Sequence, residues 1–369
     1  MIQDIVEKVE RGERLTAEEG LRLYRHPNLP ELAMLADQVR RRKHPEPIVT
    51  YNIGRNLNYT NVCWVQCDFC AFHRPPGSPE GYTLSKDQIF RKIDELVAVG
   101  GEAPGSCELL MQGGLNPQLR IEYFEDLFSE IRARYPAVHL HSLSAPEILH
   151  IAHLSRLSVA ETLRRLHEAG LDSLPGAGAE ILVDEVRREI AFRKDTTEEW
   201  LNVHRIAHRL GMPTTATMMY GSVETLEQRV AHLLRLRAVQ DEALAASGGA
   251  SPGRFTAFIC WSFQPDGTAL AARHPIRKAS GYDYLRTVAV SRLLLDNIEN
   301  LQASYVTQGP KIAQIALHYG LNDFGSTMME ENVVRATNTC FLMPLSKIER
   351  LIRQAGFQPR RRNTRYELL

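Results

Sequence analysis

What the chain lacks narrows it first. No stretch of the 369 residues approaches 18 uninterrupted apolar positions, the length a membrane-spanning helix needs. The first twenty residues, MIQDIVEKVERGERLTAEEG, are charged throughout and lack the apolar core of a secretory signal. Charge of one sign is missing too: 44 basic and 44 acidic side chains leave no overall field to draw in nucleic acid or an anionic membrane. Six cysteines are too few for a disulfide scaffold in a chain of this length. The expectation is a soluble cytoplasmic protein with a small-molecule partner and neither nucleic acid nor membrane, its function to be read from local sites.

What is present supports a large core, with 44% apolar residues. Residues 1–48 carry leucines at helical spacing and no strand-like run, so they are expected to form a helical cap. The run Arg40, Arg41, Arg42, Lys43 fits a solvated helix end, where cations suit the dipole. From about residue 50 short β-like stretches alternate with longer helical ones. Strands are expected at 52–59, 108–112, 138–143, 171–174, 214–220, 255–263, 301–307 and 326–330. Eight β/α units in parallel alternation imply an α/β fold, a (β/α)8 TIM-type barrel over 49–335, with a C-terminal helix and tail at 336–369 packed on it. The Gly- and Ser-rich AASGGASPGR at 245–254 reads as a loop within the barrel, because the alternation resumes beyond it.

Three of the six cysteines fall within eight residues: Cys63, Cys67 and Cys70 in NYTNVCWVQCDFCAFHRPPG. Cys107, Cys260 and Cys340 are scattered and read as small buried hydrophobes or incidental thiols. Clustered thiolates in a reducing compartment are soft ligands for zinc, copper(I) or iron-sulfur clusters. A zinc site would have to enlist His73 as its fourth ligand, whereas structural zinc usually takes two separated ligand pairs. Three cysteines on a four-iron cluster bind three irons and leave the fourth open to a cofactor or substrate.

The C-x3-C-x2-C spacing, the aromatic Phe69 just before the last cysteine, and a predicted strand just before the loop together resemble the radical S-adenosylmethionine (radical SAM) superfamily. The resemblance implies a 4Fe-4S cluster on Cys63, Cys67 and Cys70 with S-adenosyl-L-methionine on the open iron. It also implies an electron donor such as flavodoxin or ferredoxin. The protein's share is then binding, orientation and exclusion of solvent. By the same resemblance Gln112, Gly113 and Gly114 in MQGGL contact the methionine end, and Glu180 in PGAGAE is a polar contact to the cofactor. Met219 and Gly221 in TATMMYGSVET support the adenine, with Thr217 standing where glycine is commoner. Glu147 in SAPE also describes a helix capping box, which is the preferred reading.

Longer stretches, among them RNLNYTNVC, AFICWSFQP and GLNDFGSTMMEENVV, resemble the group of this superfamily that holds the futalosine-route menaquinone enzymes and the deazaflavin-forming synthases. Within it they are most similar to the members that cyclise dehypoxanthine futalosine. That implies abstraction of the ribose C4′ hydrogen, attack of the carbon radical on the benzoate ring, and loss of an electron and a proton. His141 and Glu224 are the candidates to take the proton. His73, Arg74, Trp261 and Asn322 are candidate substrate contacts, although Asn322 with Asp323 also suits a turn and His73 and Arg74 also suit a solvated loop. The alternative within the group is radical addition to an enolpyruvyl benzoate, as in the aminofutalosine synthases; a non-catalytic iron-sulfur or zinc protein is the alternative outside it.

Overall fold

The computed structural model describes residues 2–247 and 253–369. Of the loop read at 245–254, residues 248–252 lie outside the described residues, and 245–247 still belong to the helix Leu226–Ser247. The chain opens with helices Gln3–Arg11, Ala17–Arg25 and Leu29–Lys43. Thr16 and Glu19 form a capping box at the second, and Asn28 caps the third ahead of a proline in its first turn. The basic run ends that third helix as the dipole argument requires, but it is not solvated throughout: Arg40 is buried and, like Arg41, pairs with Asp37, while Lys43 pairs with Glu299.

The strands are β1 (Ile48–Asn52), β2 (Gly54–Asn58), β3 (Cys107–Gln112), β4 (Val138–Ser142), β5 (Thr214–Tyr220), β6 (Phe255–Ser262), β7 (Asn300–Gln302), β8 (Asp323–Ser326) and β9 (Gln358–Arg361). Every ladder between them is parallel. They fall into two sheets, β5-β6-β7-β8-β1-β9 and β2-β3-β4. Two connections join these. β1 and β2 are one strand interrupted only at Ile53; its lower half pairs with β8 and its upper half with β3. On the other side Ser173 bridges His141 of β4 and Leu174 bridges Thr214 of β5. Strand pairing thus passes through eight positions and returns to the first, which is the TIM-type arrangement.

Helices follow the strands and cover them. The outward residues of β3, Leu109 and Met111, are buried, as are Phe124 and Phe128 on helix Ile121–Arg134. Burying each such aromatic ring contributes about 2 kcal/mol. Cys107 and Cys260 are buried and Cys340 partly so, all as free thiols.

Four expectations need correction. The fourth strand, expected at 171–174, is reduced to single bridges at Ser173 and Leu174. The seventh strand is only Asn300–Gln302, because Ser304 to Gln308 turn into a short helix stopped by Gly309, whose φ is +81°, and followed by Pro310. The eighth strand is Asp323–Ser326, earlier than the 326–330 expected, so Asp323 belongs to the sheet and not to a turn. The tail, expected as helix and coil, contains β9, which pairs with β1 from Ile48↔Gln358 to Tyr51↔Arg361. Its neighbour Arg362 enters the barrel floor and grips Asp323 with two bonds, Nε–Oδ2 at 2.5 Å and Nη2–Oδ1 at 2.9 Å, beneath the Tyr366 ring at 3.8 Å.

Candidate active site

The cysteine loop leaves the top of β2 and is fastened from several sides. Its base closes as Arg74 N donates to the Asn61 carbonyl and Cys63 N to the Arg74 carbonyl, both at 2.8 Å. Trp64 N reaches the Leu115 carbonyl at 3.2 Å and Asp68 N the Ile190 carbonyl at 3.0 Å. Gln66, between the first two cysteines, holds a φ of +55°, a conformation unusual outside glycine. All three thiols are free. Burial pushes the Cys67 and Cys70 thiols up from their ordinary values. Buried thiols become thiolates only beside compensating positive charge, which a bound metal supplies.

Gly113 and Gly114 are needed here for the loop itself. A Cβ on Gly113 would lie 2.8 Å from the Tyr59 ring, and one on Gly114 would run into the Val62 carbonyl just before Cys63. Gly114 N donates to the Thr60 carbonyl at 2.9 Å. Glu147 completes the capping box with Ser144, as the sequence suggested. The same carboxylate also accepts from Gly113 N at 3.0 Å and from the Tyr59 hydroxyl at 2.8 Å, so it ties the glycine turn to the strand that carries the cysteines.

Glu180 lies beyond the fourth strand position with a φ of +42° and its carbonyl accepts from Met219 N at 3.0 Å. Its carboxylate pairs with Lys194, a residue that sequence reasoning missed. The Lys194 ammonium stands 5.3 Å from the centre of the Phe69 ring and its charge favours the Cys67 thiolate. In the sequence Lys194 is one charge in an ordinary FRKD loop; only the fold carries it to Phe69. Met219 lies opposite Trp261 in the β5–β6 ladder, near the mouth of the barrel. Gly221, with a φ of +87°, follows β5 and lines a cavity of about 460 Å³ together with Ser222, Glu224, His274 and Arg277.

Three candidates turn out to be committed elsewhere. Glu224 is a loop fastener: it accepts from Gly221 N, from Ser222 N and Oγ, both at 2.8 Å, and from Arg229 at 2.8 Å, leaving no free lone pair aimed at a substrate. Arg74 donates to the carbonyls of Ala71, Phe72 and His73 and pairs with Glu80, so its guanidinium braces its own loop. Asn322 is buried and saturated, accepting from Arg292 at 2.8 Å and Leu301 N at 2.9 Å while donating to Asn300 at 2.8 Å. His73 is half-buried, its Nδ1 2.9 Å from the Cys70 carbonyl. His141 faces the lumen from β4, bonded through Nδ1 to Ser173 Oγ at 2.6 Å.

Buried polar atoms without a partner are spread through the fold, and three of them lie at the barrel mouth. Asn58 Oδ1, Gln112 Nε2 and Gln264 Oε1 are buried without a partner. Buried polar groups are nearly always paired, so beside the thiol loop these three are free to meet a ligand. Among the described residues no three His, Cys, Asp or Glu side chains converge as a set around a single ion. A four-iron cluster asks for less, since each thiolate takes a different iron. Three free thiols on one braced loop, a lysine beside them and unmatched amides above suit such a group and a polar cofactor.

The chain matches two family models, the radical SAM superfamily over residues 57–236 and the CofH/MqnC C-terminal region over 252–369. It is 47% identical to the cyclic dehypoxanthine futalosine synthase of Halalkalibacterium halodurans, over 100% of this chain and 95% of that one. It is 42% identical to the protein of the same name from Streptomyces coelicolor, over 100% and 89%. The aminodeoxyfutalosine synthase of Thermus thermophilus is 39% identical, over 98% and 94%. In fold the chain resembles the crystal structure of methylornithine synthase, with a TM-score of 0.70 at 19% identity over 96% of both chains. No helix among the described residues is long and apolar enough to cross a membrane. Thiol loop, barrel and near full-length relatives agree: the chain belongs to the radical SAM superfamily, which implies a 4Fe-4S cluster and S-adenosylmethionine, and to its group that carries the CofH/MqnC C-terminal region.

Proposed function

We propose that this enzyme converts dehypoxanthine futalosine to its cyclic product in menaquinone formation. The observation that carries the reading is the three-thiol loop at the barrel mouth in a chain nearly half identical, end to end, to a protein named for that cyclisation. When bound, the cluster and S-adenosylmethionine supply a carbon-centred radical that takes the ribose C4′ hydrogen of the substrate. What remains for the chain is to hold C4′ against the benzoate ring, to keep water away, and to take up the one proton that leaves the ring.

Cys63, Cys67 and Cys70 hold the cluster. Gly113, Gly114, Glu180 and Lys194 flank the methionine end of the cofactor, the lysine offering its charge to a carboxylate. Met219 and Gly221 border the adenine, and Trp261 supplies an apolar wall for the substrate. His141 is the base, because its imidazole faces the lumen while Glu224 is saturated by four donors. A low-potential donor of the flavodoxin or ferredoxin class delivers the electron.

The test is an anaerobic incubation with dehypoxanthine futalosine, S-adenosylmethionine and dithionite, followed by mass spectrometry. The expected result is free 5′-deoxyadenosine and a product lighter by two hydrogens. A product that retains the adenosyl group would instead assign the addition chemistry of the aminofutalosine synthases. Uncleaved S-adenosylmethionine would remove the catalytic reading.

A further inference from the structure

Two limbs of the chain lie side by side beside the three thiols. One runs from Tyr59 through Cys63 and Trp64, the other from Gly113 to Asn116. Backbone bonds join them, from Gly114 N to the Thr60 carbonyl at 2.9 Å and from Trp64 N to the Leu115 carbonyl at 3.2 Å. The helix Ala145–Ser155 grips both limbs twice. Glu147 Oε1 accepts from the Tyr59 hydroxyl at 2.8 Å on the cysteine limb and from Gly113 N at 3.0 Å on the glycine limb. One turn later on the same helix face, His150 Nδ1 accepts from Trp64 Nε1 at 3.2 Å, and His150 Nε2 meets the Asn116 carbonyl at 3.0 Å.

The groups themselves force the direction of these bonds. An indole N–H and a backbone N–H only donate, and a carbonyl only accepts. His150 therefore offers a bare Nδ1 to Trp64 and a protonated Nε2 to Asn116, which is one neutral tautomer and no other. Burial lowers the ring from its ordinary pKa, which favours the neutral form. Glu147 is buried, and its capping of the helix at Ser144 uses only Oε2. A cap alone leaves Oε1 unexplained; the two limbs account for it. Tyr59, Gly114, Asn116, Glu147 and His150 close around a cavity of about 10 Å³, room for one water at most, so the helix bears on the limbs directly.

We propose that this helix is a clamp, with Glu147 and His150 as positioning residues that hold the cysteine limb and the glycine limb in the register S-adenosylmethionine requires. The inference rests on the reading that puts the cluster on the cysteine limb and the methionine end of the cofactor beside Gly113 and Gly114. Two separate stretches of chain must then present their groups to one small molecule. Each bond that fixes one stretch against the other removes freedom that binding would otherwise have to remove. The two side chains act through the limbs and need not touch the cofactor.

His150 is the grip to test, because removing the buried Glu147 carboxylate endangers the fold itself. In the wild-type enzyme, nitrogen NMR of labelled histidines, assigned through His150→Asn, should find His150 in the Nε2–H form; an Nδ1–H ring overturns the clamp. In His150→Ala, cluster iron should be retained while the KM for S-adenosylmethionine rises about tenfold and kcat changes less. Equilibrium binding of S-adenosylmethionine, measured by titration calorimetry, should weaken by the same factor. His150→Asn, whose amide oxygen takes the place of Nδ1, should recover the share of affinity owed to Trp64. Trp64→Phe should weaken binding in the wild-type background and add nothing to His150→Ala, since the bond it removes is already gone. Additive losses in that double variant, or unaltered binding in His150→Ala, overturn the proposal. Failure of the site reading looks different: the wild-type enzyme itself would then not bind S-adenosylmethionine, whereas failure of the clamp leaves wild-type binding intact.

Discussion

At the floor of the barrel Arg362 meets Asp323 with two charge-assisted bonds and is covered by Tyr366. At the mouth Asn58, Gln112 and Gln264 each keep a buried polar atom without a partner, and two half-buried thiols, Cys67 and Cys70, stand above their ordinary pKa. The charged pair at the floor is completed by the chain itself, although Arg361 Nε and Thr364 Oγ1 beside it also lack partners, whereas the mouth holds three free thiols for something else to complete. A fold can afford such unfinished groups at one end when the other end and the helical shell supply its stability.

Changes at the two ends should therefore fail differently. The largest effect belongs to the mouth: Cys67→Ala should abolish cluster iron and cleavage of S-adenosylmethionine while leaving the cofactor-free protein's melting curve nearly in place. Retained cleavage would break the contrast. Acid tests the buried walls next. Burial lowers His141 to about 4, and His208 and His232 to about 3. Because these folded values lie below the ordinary one near 6.5, stability is whole above about 6.5 and drains as pH falls towards them, by about 2 kcal/mol for each histidine at about pH 5. Denaturant midpoints measured across that range should fall; a flat profile would count against neutral buried rings.

At the floor, Arg362→Ala strands a buried carboxylate and should cost about 3–5 kcal/mol in denaturant unfolding. The double change Arg362→Met with Asp323→Leu should recover most of it, and folded Arg362→Ala molecules should bind the cluster normally. The smallest effect is expected of Lys194→Gln at the mouth. It should raise the KM for S-adenosylmethionine about tenfold, or about 1.4 kcal/mol, with kcat changed less. A larger fall in kcat would move Lys194 from binding towards the chemistry.

The mouth was more legible in the sequence than the floor. Thiolate softness and the count of three made Cys63, Cys67 and Cys70 informative without any fold, and Ser144 with Glu147 announced a capping box that the structure forms. The β/α alternation placed most strands because their period is local. What escaped depends on distant partners. Asn322 has the composition of a turn residue, yet Arg292 and Asn300 claim its amide. Glu224 is one carboxylate in a loop until its four donors are seen around it. The strand β9, QPRR, has no apolar alternation to declare it, since it is defined by the free edge of β1 alone.

The pairing of β9 with β1 also bears on how the molecule is born. Ile48 and Gln358 are partners 310 positions apart, so the edge of the first strand is made long before its mate. At about 5–20 residues per second a ribosome needs roughly 15–60 s to cover that interval. Throughout it the lower barrel has an open edge and Asp323, once made, has no cation. Closure is a long-range event of the kind that folds slowly and is exposed to misassembly, and β9 with Arg362 acts as the latch that ends this exposure.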